Sequence, residues 1–250
     1  EGRLRDVGLR VERSSGETPL VDEDADIVVA LGGDGATLSA IRRLGDNQIP
    51  VMGINFGHTG FLTARRSSEL EFVVVYLGHS RFRIARRMRL ELEINGEMAL
   101  YCSAPLRALN DIVLERETGR TVWIDLFRTG KVDTFGGDGL IVSTATGSTA
   151  YTKSAGGPIL DPQMSAVAIT PICPLSLSAR GLVRQPGSGV ELRINERSAP
   201  VRVVVDGREL AQKLKAGDRV VIKRSVPALL ALPHDWSFEE VLRQRLKWNS

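Results

Sequence analysis

Residues 26–44 read Asp26-Ile27-Val28-Val29-Ala30-Leu31-Gly32-Gly33-Asp34-Gly35-Ala36-Thr37-Leu38-Ser39-Ala40-Ile41-Arg42-Arg43-Leu44. The apolar, β-branched run 26–31 predicts a buried parallel strand. It enters a glycine turn, and Ala36 to Leu44 follows as a helix with Leu38, Ile41 and Leu44 on one face. Ile49 to Ile54 predicts a second buried strand, ending in Asn55-Phe56-Gly57-His58-Thr59-Gly60-Phe61-Leu62. Ser67 to Leu77 opens with Ser and Glu, an N-cap signature, and continues as a helix. Strand, glycine loop, helix, strand, loop, helix is the grammar of a doubly wound α/β unit. Such a unit usually carries one more strand–loop–helix before Leu9-Arg10-Val11, so the N-terminus is expected to be truncated or disordered.

Near residue 82 the grammar changes. Arg89 to Ile94 alternates strictly and stops at Asn95-Gly96, a hairpin signal. Residues 122–127, 190–194, 201–205 and 219–223 are further strand candidates, and Ser237 to Lys247 is an amphipathic helix. The expected division is an α/β domain over 1–85 plus 235–250, and a β-rich domain over 86–234, with the last helix returning to the first domain. The arginines 81, 83, 86, 87 and 89 are expected to form a solvated face where the chain crosses between the two.

The 250 residues are 42% hydrophobic and 25% charged, which excludes a disordered, collagenous or polytopic membrane protein. The net charge is +3, carried by 27 Arg and 6 Lys against 30 acidic residues, too weak a field for a nucleic-acid footprint. Cys102 and Cys173 form no disulfide framework and have no metal-ligand spacing, and no apolar run approaches membrane-spanning length. A cytoplasmic protein without nucleic-acid or membrane partners is expected. His58, His79 and His234 form no ligand cluster.

Glycine is the outlier, at 25 residues, and it clusters. Random placement yields about 0.014 copies of Gly-Gly-Asp-Gly in such a chain. Two are present, at 32–35 and 136–139. The first sits where open α/β sheets bind ligands, with backbone N–H groups and a helix start facing an anion. Its lone Asp34 suits proton abstraction from an attacking hydroxyl, or holding a metal between phosphates. The same residues also fit a tight turn with a solvated Asp. The loop is neither a Walker-type loop nor Gly-x-Gly-x-x-Gly, and protein-kinase signatures are missing. The block Asp138 to Pro158 contains a strand, Leu140 to Thr144, a hydroxyl-rich turn and a short helix over 149–155. It reads either as a nest for a polar or anionic ligand, with Tyr151 near enough to stack on a ring, or as a capped helix behind an Asp138-Gly139 hairpin turn. Asn110-Asp111, before an apolar run, offers an amide and a carboxylate for a base edge and a ribose diol, or is a plain loop turn.

Together these blocks resemble the NAD kinase family over nearly the whole chain: Gly32-Gly33-Asp34-Gly35, Gly53 to Gly57 with Gly60-Phe61-Leu62, Asn110-Asp111, Asp138 through Pro158, and Val205-Asp206-Gly207. The resemblance implies an N-terminal α/β domain and a C-terminal β-sandwich. It implies phosphorylation of the adenosine-ribose 2′-hydroxyl of NAD, with ATP, polyphosphate or another donor and a divalent metal (Mg or Mn), to give NADP. Asp34 would be the general base, with Gly35 beside it. Gly32, Gly33 and Arg42 would face the donor phosphates. Asn110 and Asp111 would hold the adenosine part, and Thr149, Ala150, Tyr151 and Ser154 would line the same pocket. Asp138 would meet the nicotinamide end, from a neighbouring subunit of a homodimer or homotetramer. No residue is expected to be a dedicated metal ligand.

The chain departs from the family pattern at Ala36, Ala145 and Gly181. Ser39 stands where many members carry a basic residue, for which Arg42 or Arg43 would substitute, and Arg208 stands among the NAD-binding positions where some members have Gln. Two other readings compete. A lipid kinase of the diacylglycerol or sphingosine type shares the first glycine loop but lacks the 138–158 block. A dinucleotide-binding regulator without turnover would bind NAD and leave it unchanged.

Overall fold

The computed structural model describes residues 2–16, 18–20, 24–57, 60–79, 81–101, 104–128, 130–187 and 189–246. His58, Cys102 and Lys247 lie outside the described residues. The chain forms two compact units, Glu1–Arg86 with Ala228–Ser250, and Arg87–Pro227.

In the first unit, helix α1 (Gly2–Asp6) precedes a parallel sheet of β1 (Val28–Gly32), β2 (Val51–Asn55) and β3 (Thr63–Arg66). β2 is central and buried throughout. It pairs with β1 from Val28↔Val51 to Gly32↔Asn55, with β3 at Gly53↔Thr63, and with the chain's return at Leu230↔Val51. α2 (Asp34–Leu44) packs on β1 and β2 through Thr37, Ala40, Ile41 and Leu44. That is an i, i+3, i+4, i+7 stripe, which leaves the expected Leu38 only half-buried. β3, Thr-Ala-Arg-Arg, is too short and polar to announce itself. α3 (Leu70–Gly78) follows a 3₁₀ turn, Ser67–Glu69, where the Arg66 N–H donates to the Glu69 carboxylate (3.1 Å), so Ser67 is not the cap. The last helix, Phe238–Leu246, buries Val241 and Leu242 and belongs to this unit.

β4 (Phe82–Ile94) and the strand Arg219–Pro233 carry the chain from one unit to the other; each is longer than its alternating stretch. In the second unit one antiparallel sheet runs, in order, Leu182–Arg184, Val167–Ile172, Gly139–Thr144, Asp111–Arg116, Val201–Val205 and Arg208–Glu209. A second set joins Lys131–Gly137, Val122–Phe127, Val190–Ile194 and Arg219–Pro233 antiparallel. Leu92, Ile124, Leu126, Leu192 and Ile222 meet Ile112, Leu114, Leu140, Val142 and Ile169 in one apolar layer, as between the inner faces of a sandwich. The outward Val113, Ile141 and Ile172 are covered by Ala155 and Val204. Gly139–Thr144 is therefore buried on both faces, which is why it reads as a continuous apolar run.

The arginine run needs correction. Arg87 and Arg89 are only 2% exposed, because both lie on buried positions of β4. Arg89 Nε donates to the Val226 carbonyl (2.7 Å), and Arg87 donates to that of Pro162 (3.5 Å). Only Arg81 and Arg86 fit a solvated face. Asp138-Gly139 is not a hairpin turn either. The strands on its two sides belong to different sheets, and Asp138 is the corner between them.

Candidate active site

The first unit builds its site around Asp34. β1 ends at Gly32, Gly33 takes the extended N-cap conformation, and Asp34 is the first residue of α2. A carboxylate there meets the positive end of the helix dipole. It is also clamped from the loop after β2: Phe61 N–H donates to Oδ2 (2.8 Å) and Leu62 N–H to Oδ1 (2.9 Å). The clamp explains Gly60, where a Cβ would run into the Asp34 carboxylate and lie 2.9 Å from Thr63 Oγ1. Each oxygen keeps a further lone pair for a ligand hydroxyl. Beside the clamp, Gly33 and Gly35 are exposed and face open space, so their backbone is approachable.

The second Gly-Gly-Asp-Gly is built for the opposite purpose. Cβ atoms at Gly136, Gly137 and Gly139 would strike the Trp123 ring, the Ile172 and Cys173 carbonyls and the Leu114 carbonyl respectively. These glycines serve chain-to-chain packing at the sheet corner, so their number does not by itself mark a ligand loop. Asp138 ion-pairs with Arg116 (3.0 Å) and is half-buried.

Elsewhere in the second unit three segments clasp one another. The Asp206 carboxylate accepts the N–H groups of Leu109 (2.7 Å), Asn110 (2.8 Å) and Asp111 (3.1 Å). From the other side, Thr144 N–H donates to the Asn110 carbonyl (2.8 Å), and Thr144 Oγ1 donates to that of Leu109 (2.6 Å). Gly147 lies flat against the Asn110 backbone, where any Cβ would overlap the carbonyl. The Asp111 carboxyl is buried and receives the Tyr151 N–H. Burial, and secondly the Asp206 charge, push its pKa up to about 7. The structure thus brings Asn110, Asp111, Thr149, Ala150 and Tyr151 together. Asn110's side chain is half-exposed and has no hydrogen-bond partner among the described residues.

Of the three hydroxyls in the turn, two are committed to backbone and the third, Thr146 Oγ1, is buried without a hydrogen-bond partner among the described residues. Ser148 Oγ donates to the Ala145 carbonyl (2.7 Å) and accepts the Leu160 N–H (2.9 Å); Thr149 Oγ1 donates to the Thr146 carbonyl (3.2 Å). These hydroxyls are spent on the turn's own backbone, whereas Tyr151 and Ser154 are exposed on the short helix Tyr151–Ser154. Burial and the facing Glu115 charge raise the Tyr151 pKa. Arg208 is half-buried, two residues beyond Asp206. In the first unit Arg43 is committed to the Thr18 carbonyl (2.6 Å) and Ser14, while Arg42 Nη2 rests on Ser39 Oγ (3.3 Å). His79 and His234 are exposed.

Two tasks went unread in the sequence: that of the Asp206 carboxylate, and the clamp on Asp34 beside Gly60. Both residues stood inside quoted motifs, and only the fold shows that Gly60 makes room for the Asp34 carboxylate and that Asp206 holds the 109–111 backbone. Among the described residues no three His, Cys, Asp or Glu side chains gather as an ion cage, and no helix is long and apolar enough to cross a membrane. The donor set nevertheless suits a divalent ion carried on a ligand's phosphates, which asks for one or two carboxylates.

A carboxylate clamped at a helix start, beside glycines open to a phosphate, in an α/β unit followed by a β-sheet unit, describes a phosphotransferase acting on a hydroxyl. Residues 12–77 match the ATP-NAD kinase N-terminal domain and residues 109–233 the ATP-NAD kinase C-terminal domain. The chain is 37% identical to the NAD kinase of Geobacter sulfurreducens, over 93% of this chain and 84% of that one. It is 37% identical to that of Rhodopirellula baltica, over 91% and 73%. Yeast NADH kinase complexed with NADH superposes with a TM-score of 0.79 at 32% identity, covering 90% of this chain and 67% of that one. An Archaeoglobus fulgidus NAD kinase in complex with ATP has the same fold (TM-score 0.77, 24% identity, covering 98% and 91%). The chain belongs to the NAD kinase family.

Proposed function

We infer that this chain phosphorylates the adenosine-ribose 2′-hydroxyl of NAD to give NADP, with ATP as donor. The observation that carries this reading is the clamped Asp34 at the head of α2 in a chain of this family. The 2′-hydroxyl donates its proton to Asp34 while its oxygen attacks the terminal phosphorus of ATP, and ADP leaves. Phosphoryl transfer needs mainly positioning and charge neutralisation. Gly32, Gly33 and the α2 N-terminus receive the donor phosphates on backbone amides. Arg42, leaning back onto Ser39, supplies the positive charge that other members carry at that position. Asp34 is the carboxylate that would hold a divalent metal, Mg or Mn, brought in with ATP, and the metal would supply neutralisation of phosphate charge.

Asn110 and Asp111 hold the adenosine part. Ionised Asp111 accepts ribose hydroxyls, Asn110 meets the base edge, and Tyr151 covers it, with Thr149, Ala150, Ser154 and Arg208 around it. Asp138 reaches the nicotinamide end of a neighbouring subunit's ligand in a homodimer or homotetramer. The enzyme works in the cytoplasm, where NAD and ATP are dissolved. Incubation with NAD, ATP and magnesium, read by an NADP-specific dehydrogenase, should show NADP accumulating. No NADP, with phosphate instead on diacylglycerol or sphingosine, would reverse the assignment.

A further inference from the structure

Asp206 lies outside the reaction chemistry, yet it makes more hydrogen bonds to the Asn110-Asp111 segment than any other side chain described. Val205 pairs with Arg208 across a two-residue turn, with Asp206 at φ 46° and Gly207 at φ 78°. Two left-handed residues in that order form a type I′ hairpin, whose first position accepts Asp, Asn or Gly. The turn aims the carboxylate back across the sheet, where its two oxygens collect three successive N–H groups, of Leu109, Asn110 and Asp111. Asp206 N–H donates in return to the Asp111 carbonyl (3.0 Å). With Thr144 on the Asn110 carbonyl and Gly147 against its Cα, the backbone of 109–111 is held from both sides. A dipeptide that would otherwise be a mobile loop turn becomes the rigid start of the strand Asp111–Arg116.

We propose that Asp206 is the positioning residue of the adenosine pocket, holding the Leu109–Asp111 backbone so that the Asn110 and Asp111 side chains meet NAD in a fixed geometry. The inference rests on the NAD kinase reading. Asp206→Gly keeps the left-handed turn and removes every acceptor, whereas Asp206→Asn keeps the turn and one carbonyl oxygen, leaving an NH₂ group against the Leu109 N–H. Hydrogen bonds to charged groups being worth a few kcal/mol, the KM for NAD should rise about tenfold in Asp206→Asn and on the order of a hundredfold in Asp206→Gly. The KM for ATP and kcat should change less than about threefold.

The test measures both KM values and kcat for the full chain, with NAD affinity by calorimetry and amide hydrogen exchange at 109–111. Faster exchange confined to 109–111, with the NAD-specific KM rise graded from Asn to Gly, supports the role. Unchanged NAD affinity in Asp206→Gly overturns it. So does a fall in kcat with a parallel rise in both KM values in Asp206→Asn, which denotes a merely structural residue. A wild-type chain that binds NAD yet makes no NADP refutes the activity reading instead, and the calorimetric comparison still decides the positioning one.

Discussion

Asp34 and Asp111 are both carboxylates at the mouth of a glycine-bearing turn, yet they are set up for different tasks. Asp34 is half-buried and holds two backbone N–H groups, so its geometry is fixed while its remaining lone pairs stay available. Asp34→Asn should lower kcat about 10² to 10⁴-fold with NAD affinity retained, the range a positioned general base contributes. Gly60→Ala tests the clamp. The added methyl displaces the carboxylate, and kcat should fall about tenfold with a stability loss of about 1–3 kcal/mol, read by turnover and chemical denaturation. Asp111 is the buried one. Its folded pKa of about 7 lies above the ordinary 3.8, so the native state binds the extra proton between those values, and this group's contribution to stability declines as pH rises from about 4 to 7. Asp111→Asn should flatten that decline in urea melts between pH 5 and 7.5. In the native protein NAD affinity should climb as Asp111 ionises through pH 7 and accepts the ribose hydroxyls. The residue types of the site were legible in the sequence because Gly-Asp-Gly and Asn-Asp are chemically eloquent. The particular tasks of Gly60 and Asp206 were silent, because Gly60 makes room for a carboxylate 26 residues back and Asp206 holds backbone about 95 residues back along the chain.

At the scale of elements, periodicity located what it could measure. β1, α2 and β2 are amphipathic or wholly apolar and appear within about two residues of expectation. β3 and the strand Lys131–Gly137 escaped, because their residues are polar or glycine and their pairing is decided by neighbours. The arginines of β4 misled for a related reason: Arg87 and Arg89 are buried by finding carbonyl partners, which their spacing does not reveal. The last helix also reaches the catalytic clamp, since the Arg245 guanidinium lies over the Phe61 ring at 5.6 Å and the Phe61 N–H holds Asp34. A cation–π contact at an exposed site is worth about 0.5–1 kcal/mol, so Arg245→Ala should reduce kcat by about two- to fivefold. Steady-state kinetics should show the KM for NAD unchanged, because the adenosine pocket is built from other elements.

For the whole molecule, the two Gly-Gly-Asp-Gly stretches show how one tetrapeptide serves two ends. At 32–35 Gly33 and Gly35 face open space, and at 136–139 all three glycines are pressed against neighbouring chain. Composition flags both alike, and only the sheet topology separates an open strand-to-helix loop from a sandwich corner. The modest +3 charge suits the proposed reaction, in which the ligand's phosphates would be neutralised locally by amides, a metal and one arginine. Because Asp138 is assigned to a neighbour's ligand, specific activity should fall on dilution, in step with dissociation seen by sizing. The most direct test of the account is a single-turnover comparison of the wild-type chain and Asp34→Asn, with saturating NAD, ATP and magnesium and NADP as the readout. Rapid NADP formation by the wild type, together with its near loss in a variant that still binds NAD, is the predicted result. Near-normal NADP formation by Asp34→Asn would contradict it.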